Sequence, residues 1–139
     1  MTTKNSCYTY FKIVGDFDPD AITSLLQLKP DKYHKGTDKR PDGKAYGFAS
    51  WNFGRCEAYN PIVSYQMQRT LAPLFDKTHV LNEIRERNDV CFYLSVVPQV
   101  FAGDIAPALA PSLEFIDFCH ATRTEIDIDM YVYESSAED

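Results

Sequence analysis

Two sets of carboxylates have a spacing that could bind a cation. Asp16, Asp18 and Asp20 stand at alternate positions, like the opening of a calcium-binding loop. An EF-hand loop also needs Gly at its sixth position and Glu at its twelfth, where this chain has Ala21 and Gln27. We therefore interpret Asp18 as the N-cap of a helix, whose positive end the two flanking carboxylates favour.

The second set lies near the end of the chain. Glu125, Asp127 and Asp129 alternate, so they share one face of a strand with Tyr131 and Tyr133. Close carboxylates can share a proton or bind a divalent ion. Such alternation more commonly marks the solvated face of an edge strand, where charge discourages edge pairing. Because tyrosine is enriched in protein interfaces, we predict an interaction surface at Asp127, Asp129 and Tyr131.

A basic loop is joined to an acidic body. Residues 29–44 carry a net charge of +3 and the rest of the chain −9. Lys35, Lys39 and Arg40 could clamp an anion, although three interspersed Asp favour a solvated charged loop. We include Lys35 and Arg40 in the candidate interaction surface. Since phosphate neutralisation drives nucleic-acid affinity, the acidic balance predicts no specific nucleic-acid partner and favours a basic protein partner.

No motif for catalysis, a cofactor or a metal is present. The chain has no G-x-S-x-G, P-loop or G-x-G-x-x-G sequence. His34, His79 and His120 are far apart, and the four cysteines form no C-x-x-C or Cys/His ligand spacing. We expect reduced structural thiols and assign no catalytic, cofactor-binding or metal-binding residue. Triads are recognised by geometry, so an enzyme with an unfamiliar site stays an alternative.

The totals indicate one domain. A chain of 139 residues fits an average domain. The N-terminus has no apolar h-region, and no stretch approaches the ~20 apolar residues of a membrane span. We predict a single cytoplasmic domain over residues 1–139 with no membrane contact; homo-oligomerisation is compatible with the sequence but not readable from it.

In the first half of the chain, the pattern predicts a strand at residues 8–14. A helix follows from Asp18-Pro19 to Lys29-Pro30, with Ile22, Leu25 and Leu26 facing inward. Residues 30–45 are rich in turn formers and are expected to be a loop. A second strand is predicted at about 46–53; Trp51, in this strand, is expected in the core.

In the second half, Asn60-Pro61 predicts the start of a helix to about Phe75, which Pro73 should kink or divide. A second helical piece follows at about 77–87. Residues 90–97 are almost all apolar, which predicts a central strand buried on both faces and ended by Pro98.

The last two elements are a helix and a strand. The helix is expected from Pro111 to His120, with Leu113, Ile116 and either Phe115 or Cys119 facing inward. The final strand should run from 125 to 133, with its isoleucines on the face opposite its carboxylates.

Two strand–helix–strand units predict an α+β, ferredoxin-like fold. We expect a sheet of about four strands with helices on one face, and a helical insertion between the second and third strands.

Several pieces, taken in order, resemble the bacterial family called domain of unknown function 4279. They are Gly15-Asp16-Phe17-Asp18-Pro19 after the first strand, Leu28-Lys29-Pro30, Lys35-Gly36, Trp51, and the final segment from Glu125 to Tyr133. The resemblance implies a small bacterial cytoplasmic domain and carries over no catalytic residue.

The leading functional hypothesis is a non-enzymatic protein-binding module. Small acidic domains of this kind can serve as immunity proteins that neutralise a basic toxin, which is an argument by analogy. The alternatives are a small-ligand or anion sensor, and an enzyme with an unrecognised site.

Overall fold

A six-stranded mixed sheet forms the centre of the described part of the protein. The computed structural model describes residues 4–59 and 62–134. Its strands are β1 (Ser6–Asp16), β2 (Lys32–His34), β3 (Ala49–Ala58), β4 (Asp89–Phe101), β5 (Thr124–Ile128) and β6 (Tyr131–Tyr133). Their order is β2–β3–β1–β4–β5, and β6 also pairs with β4. The central strand β1 is antiparallel to β3 and β4, whereas β5 and β6 are parallel to β4.

Helices cover one face of this sheet. They are α1 (Pro19–Leu26), α2 (Val63–Leu71), a 3₁₀ helix (Ala72–Lys77), α3 (Thr78–Arg87) and α4 (Leu113–Thr122). In β1, Cys7, Thr9, Phe11 and Ile13 are buried, while the alternate positions are half-buried. Apolar side chains from all four α-helices join the same core cluster as Phe11 and Ile13. The opposite face, to which Tyr8, Tyr10 and Lys12 point by alternation, is left open.

The predicted ferredoxin-like fold is wrong, because the sheet has six strands of mixed direction. The second predicted strand corresponds to β3, which is antiparallel to β1. Among the described residues, only β4–α4–β5 is a strand–helix–strand unit that joins two parallel neighbouring strands. Residues 30–45 were expected to form only a loop, but Lys32–His34 pairs with β3 as an edge strand. A strand of three residues is too short to show a periodic pattern.

Pro98 does not end β4, contrary to the prediction. The strand continues to Phe101, and Pro98 pairs with Cys7 of β1. On its other side, β5 pairs as far as Val96 and β6 pairs from Gln99 onward. Proline lacks an N–H donor and is tolerated where a ladder is interrupted. The final predicted strand is therefore two strands, separated at residues 129–130 opposite this proline.

Two helix signals are confirmed, one at the start of a helix and one at a break. Asp18 caps α1 with its side chain on the backbone N–H of Asp20, and Pro19 opens the helix. Pro73 divides the second helical region, where α2 gives way to the 3₁₀ helix. The start predicted at Asn60-Pro61 lies outside the described residues.

Other details of the helix predictions are wrong. The first helix ends at Leu26, with the next residue in the left-handed conformation, before Lys29-Pro30 is reached. Leu25 is exposed rather than inward-facing. Pro111 was expected in the first turn of α4, but it precedes the helix, which Ser112 caps.

The inward face of α4 consists of Phe115, Phe118 and Cys119, whereas Leu113 and Ile116 are exposed. Apolar residues lie on two sides of this helix, and its position on the sheet selects which side is buried. Of the two exposed residues, Ile116 lines a groove beside β5.

Two polar side chains fix α2 against the sheet. The side-chain amide of Gln66 donates to the backbone carbonyls of Cys7 in β1 and Cys56 in β3. Thr70 Oγ1 donates to the carbonyl of Gly54 at 2.8 Å. Gly54 has φ +75°, and a Cβ there would lie 3.0 Å from the Thr70 carbonyl oxygen. This glycine lies at the irregularity in the β1–β3 pairing, and its missing side chain lets the backbone of α2 approach.

Trp51 lies in the core as predicted. It is fully buried in β3, and its Nε1 donates to Thr23 Oγ1 at 3.0 Å. Its ring stacks on Phe53 with centroids 5.6 Å apart.

Candidate interaction surface

The basic loop is compensated by acidic neighbours. Lys35 Nζ lies 3.2 Å from the carboxylate of Asp20 in α1. The hydrogen bond that Lys35 donates to this carboxylate, and then the charge of the carboxylate, raise the pKa of Lys35. Arg40 forms an ion pair with Asp42, and the hydrogen bond from Arg40 lowers the pKa of that carboxyl. Because Lys35 and Arg40 are each paired with a carboxylate, these contacts favour a solvated charged loop over an anion-binding site.

The final segment is exposed on both faces, which is unusual for a sheet. All side chains from Glu125 to Tyr133 are exposed, and we call these residues the β5–β6 edge. Glu125 and Asp127 lie on the open face, beside Tyr93 and Ser95 of β4. This confirms that these two carboxylates share a face.

The apolar side of the same segment is also uncovered. Ile126 is 41% exposed, Ile128 47% and Met130 45%. Ile126 and Ile116 of α4 line an open groove of about 400 Å³ between that helix and the strand. Thus the isoleucines lie on the face opposite the carboxylates, as predicted. This is the helix side of the sheet, but α4 does not cover them.

Tyr131 forms a hydrogen bond with a carboxylate of the edge. Its hydroxyl donates to Asp129 Oδ2 at 3.1 Å. This hydrogen bond, followed by the negative charge of Asp129, raises the pKa of Tyr131. Tyr131 pairs with Gln99 and Tyr133 with Phe101, whose ring it stacks on at a centroid distance of 4.9 Å.

The five candidate residues fall into two separate groups. Lys35 and Arg40 follow β2 at one end of the sheet, whereas Asp127, Asp129 and Tyr131 belong to the strands at the other end. They do not form a single surface.

A cleft on the open face was not predicted. It has a volume of about 450 Å³ and is lined by Tyr8, Tyr10, Asp31, Lys32, Asn52 and Arg55. The guanidinium of Arg55 lies 4.6 Å from the centre of the Tyr8 ring, a cation–π geometry. The residues come from three strands and the turn before β2, so no local pattern could join them.

The four thiols differ in their exposure to solvent. All four cysteines are free, and Cys7 and Cys119 are buried. Desolvation raises the pKa of each of these two thiols to about 11. Cys91, expected to be a structural thiol in an apolar run, is instead exposed. In the described ranges, no three His, Cys, Asp or Glu side chains are grouped to hold a metal ion.

These features define a small α+β domain with a one-sided helical layer, an open sheet face and an acidic, uncovered sheet edge. Among curated proteins and solved structures, none matches the chain. A family model does match residues 5–133, and the chain belongs to the family described as Domain of unknown function (DUF4279). This confirms the resemblance found in the sequence. Within the described parts of the chain, no helix has the length and apolar character needed to cross a membrane.

Proposed function

We propose that this chain is a non-enzymatic protein-binding module that binds a basic partner at the β5–β6 edge. The observation that carries the proposal is nine consecutive exposed residues, Glu125–Tyr133, at the end of a sheet. A strand of a packed domain ordinarily buries at least one face. Exposed contiguous apolar side chains bordered by polar ones are typical of interaction sites.

Charge selects the kind of partner. Residues 124–139 contain six carboxylate side chains and no Lys or Arg. Complementary potentials accelerate encounter and disfavour partners of the same sign. We favour a basic protein that this chain neutralises in the manner of an immunity protein.

The test is affinity capture from the cells that make this chain, with three baits. The first is the unaltered chain, and the second is an edge variant that combines Glu125→Gln, Asp127→Asn and Asp129→Asn. The third is a control variant in which exposed carboxylates elsewhere are neutralised: Asp76→Asn, Glu86→Gln and Asp89→Asn.

We expect a basic protein to be captured by the unaltered chain and the control variant but not by the edge variant. The two variants change the net charge equally, so a difference between them is a property of the edge. Recovery of the same proteins by all three baits, or of the bait alone, would count against the proposal.

A second function is favoured by the cleft on the open face. Lys32, Arg55 and Asn52 could bind a small anion whose aromatic part stacks on Tyr8 or Tyr10. A thermal-shift screen with nucleotides and phosphorylated metabolites tests this. A ligand at about 100 times its Kd should stabilise the fold by ~2.7 kcal/mol, and Arg55→Ala should abolish the shift. Absence of any shift across the panel would reject a ligand at this cleft.

A further inference from the structure

We propose that the β5–β6 edge binds by strand addition to β5. The added segment is extended, and its apolar side chains alternate with Lys or Arg. This inference rests on the proposed function and adds the binding mode and the chemistry of the segment.

The backbone of β5 supplies the first argument. β5 is the last strand of the sheet, and along residues 4–59 and 62–134 no strand pairs with its outer side. Its five residues, Thr124–Ile128, extend over about 16 Å. An exposed strand edge presents N–H and C=O groups that an extended peptide can pair with. The edge therefore has room for a segment of about five residues.

The side chains of β5 specify the segment. On the helix side, Ile126 and Ile116 line the groove of about 400 Å³, which suits apolar residues at every second position. On the open side, Glu125 and Asp127 project beside the added strand, which suits cations at the intervening positions. Arg123 also lines the groove near the start of β5. The cations should accordingly lie toward Asp127 rather than toward Arg123.

The same charges disfavour a second copy of this chain as the occupant. Two copies that paired through β5 about a two-fold axis would run antiparallel. In any register, the open face of that joined sheet would carry only carboxylates from Glu125 and Asp127. Like charges opposite each other destabilise a strand pair, whereas a cationic segment would neutralise them.

The test uses a labelled peptide of about eight residues in which valine and lysine alternate, titrated with the full chain and followed by fluorescence anisotropy. One control replaces every lysine with glutamate, and another has the same composition in two blocks. Two further peptides carry N-methyl groups on the backbone amides of all lysines or of all valines. We expect saturable binding of the alternating peptide. The glutamate peptide, the block peptide and at least one of the methylated peptides should each bind at least about tenfold more weakly.

Protein variants locate the binding. The edge variant and Ile116→Ser should each bind the alternating peptide at least about tenfold more weakly, while the control variant should bind it normally. The substituted side chains are exposed, and Trp51 fluorescence checks that each variant is folded. Higher salt should weaken the binding, because the charges are solvent-exposed.

Three results would overturn the inference. They are no saturable binding up to about 1 mM, equal binding of the block or glutamate peptide, and a dimer of the chain in sedimentation that the edge variant abolishes. The last result would assign the edge to a second copy. If the peptides fail while affinity capture still depends on the three carboxylates, strand addition is wrong and the proposed function stands. If capture also fails, both are wrong.

Discussion

Replacement of Gly15 with alanine should destabilise this fold severely. Gly15 lies near the end of β1, between Val90 of β4 and Ala49 of β3, with φ +150°. A Cβ added there would overlap the carbonyl oxygen of Asp89 and lie 2.8 Å from the Cα of Val90. Because these atoms are backbone, no side-chain rotation can relieve the overlap.

The cost can be worked from two terms. The backbone conformation is sparsely populated for alanine and costs about 1–3 kcal/mol. Separation of the strands would also disrupt the pairings of Gly15 with Val90 and of Asp16 with Asp89, at about 1 kcal/mol for each hydrogen bond lost. The total, roughly 3–5 kcal/mol, is a large part of the 5–15 kcal/mol that stabilises a typical domain.

Gly43→Ala is the matched control. Gly43 also has a positive φ, +86°, but no atom lies within 4 Å of its added Cβ, so only the conformational cost of about 1–2 kcal/mol applies. Urea unfolding can be followed by the fluorescence of Trp51, which is buried and is the one tryptophan of the chain. If Gly15→Ala and Gly43→Ala lower the free energy of unfolding by the same amount, the argument from close strand approach is refuted.

Three further predictions concern buried polar groups and thiols. Gln66→Leu removes the side-chain donor to the carbonyls of Cys7 and Cys56. This substitution should lower the free energy of unfolding by about 1–3 kcal/mol. A urea midpoint equal to that of the unaltered chain would contradict this. The pKa values of Cys7 and Cys119 are about 11 in the fold against 9.0 ordinarily. The unfolded chain therefore loses these protons first, so the thiols should not change the pH dependence of stability well below pH 9 and should lower stability between pH 9 and 11; removal of both thiols should reduce that slope. Iodoacetamide should label the exposed Cys91 well before the buried Cys7 and Cys119, so equal rates by mass spectrometry would show that the buried thiols are open to solvent.

Local signals in the sequence predicted single elements well. Asp18-Pro19 located the start of α1 because the cap and the proline act within one turn. Pro73 located the break after α2 for the same reason. The order and direction of the strands could not be predicted in this way. The antiparallel return of β3 beside β1 depends on contacts between residues about 40 positions apart.

In the β5–β6 edge, the direction of the side chains was predictable from the sequence and their burial was not. Alternation correctly placed Glu125 and Asp127 on one face, since side-chain direction in a strand is local. The exposure of Ile126 was missed because it depends on where α4 packs. Helix periodicity also could not show that Ile116 faces away from the core, since apolar residues lie on both sides of α4.

The carboxylates of β5 can be explained by edge protection or by partner binding, and the apolar residues distinguish the two. A free edge with apolar side chains on both faces would pair with its own copies, and charge on one face prevents this. Protection alone gives no reason for Ile116, Ile126 and Ile128 to be exposed together, because an uncovered apolar patch works against solubility. A partner strand with alternating cationic and apolar residues would contact both the carboxylates and the isoleucines. Its charges would lie on the open face and its apolar side chains in the groove. Neutralising the carboxylates should then weaken binding and promote self-association together, whereas edge protection alone predicts only self-association.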